Sequence, residues 1–210
     1  MSFDLAGWLA ALVSPTIVQA GDPVLRRRAL DVDPSVLGSG ALDRLVEVMV
    51  EAMRAAPGVG LAAPQIGVPL RVFVAEDDDR RMAKLSDEAR SSRRRAPLPL
   101  LVVVNPAVAP ATTDEATFYE GCLSVRGYGA LVRRAAAVRV TGVDTAGQPV
   151  AAEFTGWPAR IMQHEMDHLD GTLYVDRMIT RSFAGDEHLP RMAGIPADEL
   201  LAELGEELPP

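Results

Sequence analysis

The stretch Pro158-Ala159-Arg160-Ile161-Met162-Gln163-His164-Glu165-Met166-Asp167-His168-Leu169-Asp170-Gly171 decides how the rest of the chain is read. Thr155 or Gly156 can cap a helix here, Pro158 suits its first turn, and Gly171 suits the position just past its end. A helix turns every 3.6 residues, so His164 and His168 project from one face and their imidazoles can chelate one divalent ion. Glu165 stands beside them without having to be a ligand. A carboxylate there can take a proton from metal-bound water, whose pKa the ion has lowered toward neutrality. The chain has only three histidines. Two of them in this pattern favour metal over a plain core helix, while His188 reads as a surface residue.

A catalytic site of this kind needs a third protein ligand and one open position. Tyr174, which falls where an in-line third histidine would stand, is a poor substitute. Glu187 is a downstream carboxylate with no helical pattern to hold it, and a zinc endopeptidase built on His164, His168 and Glu187 is one reading. Cys122, in Glu120-Gly121-Cys122-Leu123-Ser124, is another candidate, although a lone cysteine is usually a small buried hydrophobe. A metal-stabilised binding module without catalysis is a third reading. All three stay open on these residues alone.

Outward from the motif, Ala137 to Val143 and Pro149 to Thr155 alternate around Asp144-Thr145-Ala146-Gly147 and predict a hairpin feeding into the helix. Leu42, Leu45, Met49 and Met53 predict a core-facing helix from Ser39 to Pro57-Gly58. Arg71 to Ala75 and Leu100 to Val104 are β-branched runs, separated by a charged stretch from Glu76 to Arg95 that reads as a loop or a solvated helix. Short strands and few helices in irregular order predict one α+β domain of mostly antiparallel sheets around the central helix. The expected division is an apolar, uncapped arm at 1–15, a catalytic domain at 16–185 and an acidic, partly helical tail at 186–210. Leu200, Leu201 and Leu204 share one side of that tail.

Composition narrows the function. With 21 Lys and Arg against 29 Asp and Glu, the net charge is 21 − 29 = −8, and nucleic acid is not an expected partner. The hydrophobic fraction of 48% supplies a core and excludes wholesale disorder. No apolar run is long enough to span a membrane. One cysteine makes no internal disulfide, and Asp4 stands where a signal peptide would carry basic residues, so a cytoplasmic location is expected.

A third segment adds to the motif. Gly58-Val59-Gly60-Leu61-Ala62-Ala63-Pro64-Gln65 combines flexible glycines, which let backbone approach a ligand, with one amide in an apolar run. Taken in order, G-V-G-L-A-A-P-Q, E-G-C-L-S and Q-H-E-M-D-H-L-D-G resemble the three motifs of the peptide deformylase family, and the likeness runs from Ile17 to about Arg181. The resemblance implies removal of the formyl group from the N-terminal formylmethionine of newly made polypeptides. It implies Cys122, His164 and His168 as ligands of Fe²⁺, which Zn²⁺, Ni²⁺ or Co²⁺ can replace, and Glu165 as proton shuttle. Gln65 and the Leu123 backbone N–H would hold the oxyanion. Val59 and Gly60 would pair with an extended substrate, with Gly127 and Tyr128 nearby. Two departures stand out. Many relatives carry a proline and then an arginine where this chain has Arg126 and Gly129. Some also end in a basic ribosome-docking helix, whereas this tail carries Asp198, Glu199, Glu203, Glu206 and Glu207, so a transient ribosome contact is not expected through it.

Overall fold

The computed structural model describes residues 3–56, 58–83 and 85–206. Helix α1, Leu5–Ala11, is capped by Asp4, which accepts from the Gly7 N–H at 2.9 Å, so the arm expected to lack a cap has one. Leu5 is buried against α2, Gly40–Ala55, which begins at the Ser39 cap as its spacing predicts and buries Leu42, Leu45, Met49 and Met53. Pro57, the expected stop, lies outside the described residues, as do 1–2 and 207–210 of the arm and tail.

Strands β1, Gly60–Ala62, and β2, Val72–Asp77, pair antiparallel. The charged stretch after them forms two short helices, α3, Asp79–Met82, and α4, Asp87–Ser92. Next come β3, Leu98–Pro110, β4, Glu115–Cys122, β5, Val125–Ala135, β6, Ala137–Val143, and β7, Pro149–Thr155. One sheet runs β1-β2-β3-β6-β7. Its run Val72 to Ala75 is buried throughout because both faces are covered: Val72 and Val74 meet α2, while Phe73 and Ala75 meet the motif helix.

That helix is α5, Gly156–Leu169. Gly171 follows it at φ +75°, and a Cβ there would stand 2.9 Å from the Arg26 backbone, so both the turn and the close approach require glycine. The second sheet, β4-β5 with β8, Ala184–Gly185, lies on the other side of α5. Beyond it come α6, Leu189–Met192, and α7, Ala197–Glu203. Leu200 and Leu201 anchor α7 on Tyr119 and Leu131, and each such buried leucine contributes about 1.5–3 kcal/mol. α5 is therefore the central element between two antiparallel sheets. Among the described residues no helix is long and apolar enough to cross a membrane.

Candidate active site

Three side chains from two elements meet at the C-terminal half of α5. His164 and His168 come from consecutive turns of that helix, and Cys122 comes from the end of β4. Their ligand atoms all lie within 4.8 Å of one another, with Cys122 Sγ 3.2 Å from His168 Nε2. His164 Nδ1–H donates to Glu120 Oε2 at 2.9 Å, which leaves Nε2 as the coordinating atom. Burial holds His168 well below the usual histidine range, which favours the neutral form that a ligand needs. One thiolate and two imidazoles fit a borderline divalent cation such as Fe²⁺ or Zn²⁺. Glu187 is not brought to this group: it is exposed on the surface, 3.2 Å from His188 Nε2.

His164 is set by a charged network under α5 that the sequence did not reveal. Arg134 donates from Nε and Nη2 to the two Glu120 oxygens at 2.6 and 2.9 Å, and from Nη1 to Asp167 at 2.8 Å. Arg160 Nη1 donates to Glu120 at 2.5 Å. Burial alone would raise the Glu120 carboxyl, but His164 and Arg134 hold it well below the usual carboxylate range. Removing one partner of a buried network of this kind costs about 3–5 kcal/mol. The available signal was the placement of Glu120 two residues from Cys122 in a strand, a charge at a position that had to face inward.

Glu165 is 3% exposed, and its Oε2 has no hydrogen-bond partner among the described residues. Burial pushes its carboxyl up to about 7, and a divalent cation beside it would draw it back down. The reason it can sit there is Gly60, whose Cα packs directly on the Glu165 carboxyl group so that a Cβ would overlap it. Gly60→Ala is therefore expected to displace Glu165 and lower formate release strongly while the bound metal is retained. Metal per chain and turnover, measured together, check this; wild-type turnover would contradict it.

Gln65 follows β1 in a short 3-10 turn. Its Oε1 accepts from the Ala62 N–H at 2.8 Å, so its NH₂ points toward Ser124 Oγ at 3.3 Å and Cys122 Sγ at 3.7 Å. The amide donors are thereby aimed at the cation group. Leu123 sits in the tight turn between β4 and β5, beside Cys122. Gln65, Cys122, Leu123, His164 and Glu165 open onto one cleft of about 550 Å³, lined also by Val59, Gly127, Tyr128 and Arg126. β1 forms one edge of its sheet, with a single hydrogen-bonded neighbour. An extended peptide can add to an edge of this kind.

Comparison with known proteins follows the same lines. A model of the polypeptide deformylase family matches residues 14–183. Peptide deformylase 3 of Streptomyces avermitilis is 51% identical over 194 residues, spanning 92% of this chain and 84% of that protein. The chloroplastic peptide deformylase 1A of Solanum lycopersicum is 45% identical over 199 residues, 91% of this chain and 72% of its own length. Among solved structures, the class I type b peptide deformylase of Acinetobacter baumannii, bound to Met-Ala-Ser, superposes with a TM-score of 0.70 at 32% identity. It covers 79% of this chain and 99% of its own.

Proposed function

The chain belongs to the polypeptide deformylase family and removes the N-formyl group from nascent peptides, and from that premise we propose how its own residues do so. The observation that carries the reading is the convergence of Cys122, His164 and His168 on one point beside a buried, unpartnered Glu165 carboxylate oxygen. Cys122, His164 and His168 would hold a divalent ion, which would supply Lewis acidity and make water a nucleophile near neutral pH. Glu165 takes the proton of the attacking water and returns it to the nitrogen that leaves as the peptide's free amine. The Gln65 amide and the Leu123 N–H donate to the oxygen on which negative charge develops, an interaction worth about 2.7–4 kcal/mol per donor in comparable sites. The free edge at Val59 and Gly60 pairs with the peptide backbone, and Gly127 and Tyr128 border the residues beyond the first. Residues 1–15 serve as an arm, 16–185 as the catalytic domain and 186–210 as the acidic tail.

The assay is formate release from a formyl-Met peptide with anaerobic Fe²⁺; a loaded protein releasing none would overturn the reading. We assign Fe²⁺ as the working ion, because a thiolate with two imidazoles suits it. The Cys122 thiolate is itself open to oxidation up to irreversible acids. The iron form is therefore expected to lose activity in air faster than the nickel form, measured as half-life in air-saturated buffer; equal half-lives would contradict it. The reading requires the compartment in which formylated chains are made, and we propose the cytoplasm. Any transient contact with a ribosome is assigned to a surface other than the acidic α7.

A further inference from the structure

The two donors proposed for the oxyanion come from separate segments, Gln65 after β1 and Leu123 in the turn between β4 and β5. Both segments are tied to one stretch near the start of the chain, Ile17 to Ala20. The Val18 N–H donates to the Gln65 carbonyl at 2.9 Å, and the Ala20 N–H donates to the Ser124 carbonyl at 2.7 Å. Between them, the Gln19 side chain grips the turn at two points. Its Nε2 donates to the Leu123 carbonyl at 3.0 Å and to the Ile17 carbonyl at 3.2 Å, while its Oε1 accepts from the Arg126 N–H at 3.3 Å. Two carbonyls on one side and an N–H on the other fix which way the amide faces.

Within the turn Leu123-Ser124, the Leu123 carbonyl is held by Gln19, the Ser124 carbonyl by Ala20, and the Ser124 N–H donates to Cys122 Sγ at 3.4 Å. The Leu123 N–H is the remaining backbone donor of that turn. Gln19 itself is exposed and does not line the cleft, so whatever it does for the reaction it does through the turn it holds. Arg126 acquires a role by the same geometry. Many relatives carry proline at this position, and a proline has no N–H to give. The departure therefore supplies the donor that closes the Gln19 clamp. Two donors on separate segments serve one oxygen only if their separation is fixed, and a misplacement of about 1 Å can cost up to about 10²-fold in rate.

We propose that Gln19 is a positioning residue for the reaction: by clamping the turn at Leu123 and Arg126, it holds the Leu123 N–H in a fixed place relative to the Gln65 amide, so that both donors meet the oxygen on which charge develops. This rests on the deformylase reading. Such an interaction is realised in the transition state more than in the bound substrate, so its loss falls on kcat. With iron-loaded protein and formyl-Met-Ala-Ser, Gln19→Ala should lower kcat about tenfold and leave KM and metal per chain within about twofold of the wild type. Gln19→Glu keeps an acceptor for the Arg126 N–H but sets an oxygen against the Leu123 carbonyl, so it should not restore the rate. Gln148→Ala, which removes an exposed amide from the hairpin turn between β6 and β7, should leave kcat unchanged. Two readouts need no turnover. Zinc-loaded Gln19→Ala should bind Met-Ala-Ser, which has no formyl oxygen, with an unchanged Kd, and its Leu123 amide resonance should shift and exchange its proton faster. A kcat for Gln19→Ala within about twofold of the wild type, full activity in Gln19→Glu, or a loss carried by KM, product binding or metal content instead of kcat would each overturn the proposal. Absence of formate release by the loaded wild type would instead sink the deformylase reading, and the role of Gln19 with it.

Discussion

Cys122→Ala is expected to lose the bound metal and formate release together, whereas Glu187→Ala leaves both essentially unchanged. Cys122 contributes one of three ligand atoms within 4.8 Å of one another, and two neutral imidazoles alone hold a divalent ion much less firmly. The thiolate also donates charge and is deprotonated outright when coordinated, which sets the acidity of water at the open position. Cys122→Asp should retain zinc but turn over far more slowly, since a carboxylate oxygen replaces the sulfur. Glu187 lies on the surface beside His188, and surface substitutions of that kind are usually within about 0.5 kcal/mol of neutral. The measurement is metal per chain after dialysis, paired with formate release. A site emptied by Glu187→Ala and spared by Cys122→Ala would reverse the ligand assignment.

Glu165→Gln should keep the metal and lower kcat by about 10²- to 10⁴-fold, the range for removing a positioned acid–base group. Glutamine preserves the shape that packs on Gly60, so loss of rate cannot be assigned to collapse of the pocket. The carboxylate is 3% exposed with one oxygen unpartnered, which is a poor arrangement for stability and a good one for proton transfer. KM for the formyl peptide should change little, because the Gly60 edge and the rest of the cleft are untouched. Turnover within about tenfold of the wild type, or loss of the metal, would remove Glu165 from the shuttle role.

Local periodicity carried a large part of the chain. The hairpin at 137–155 and helices α2 and α5 were legible because their turn residues, caps and apolar spacing are all set within a few residues. The long strands β4 and β5 were not. Their sequences mix Glu115, Glu120, Arg126, Arg133 and Arg134 with glycines, and Glu120 and Arg134, which break the expected alternation, pair inside the protein. The charged stretch before Arg95 was readable only as loop or helix. It forms two short helices, after which Arg95 turns inward to the buried Asp77.

By itself the sequence determined the helix, the common face of His164 and His168, and the place of Glu165 next to them, because the 3.6-residue repeat is a local property. It left the third ligand open between Cys122 and Glu187 on spacing alone, and a resemblance of motifs was needed to prefer Cys122. Only the tertiary structure decided that β4 ends against α5, that Glu120 orients His164 and that Gly60 leaves room for Glu165. Each of these joins residues 42 to 105 positions apart in the chain. Such facts arise when sheets and helix close on one another and exclude water, and no run of neighbouring residues encodes them.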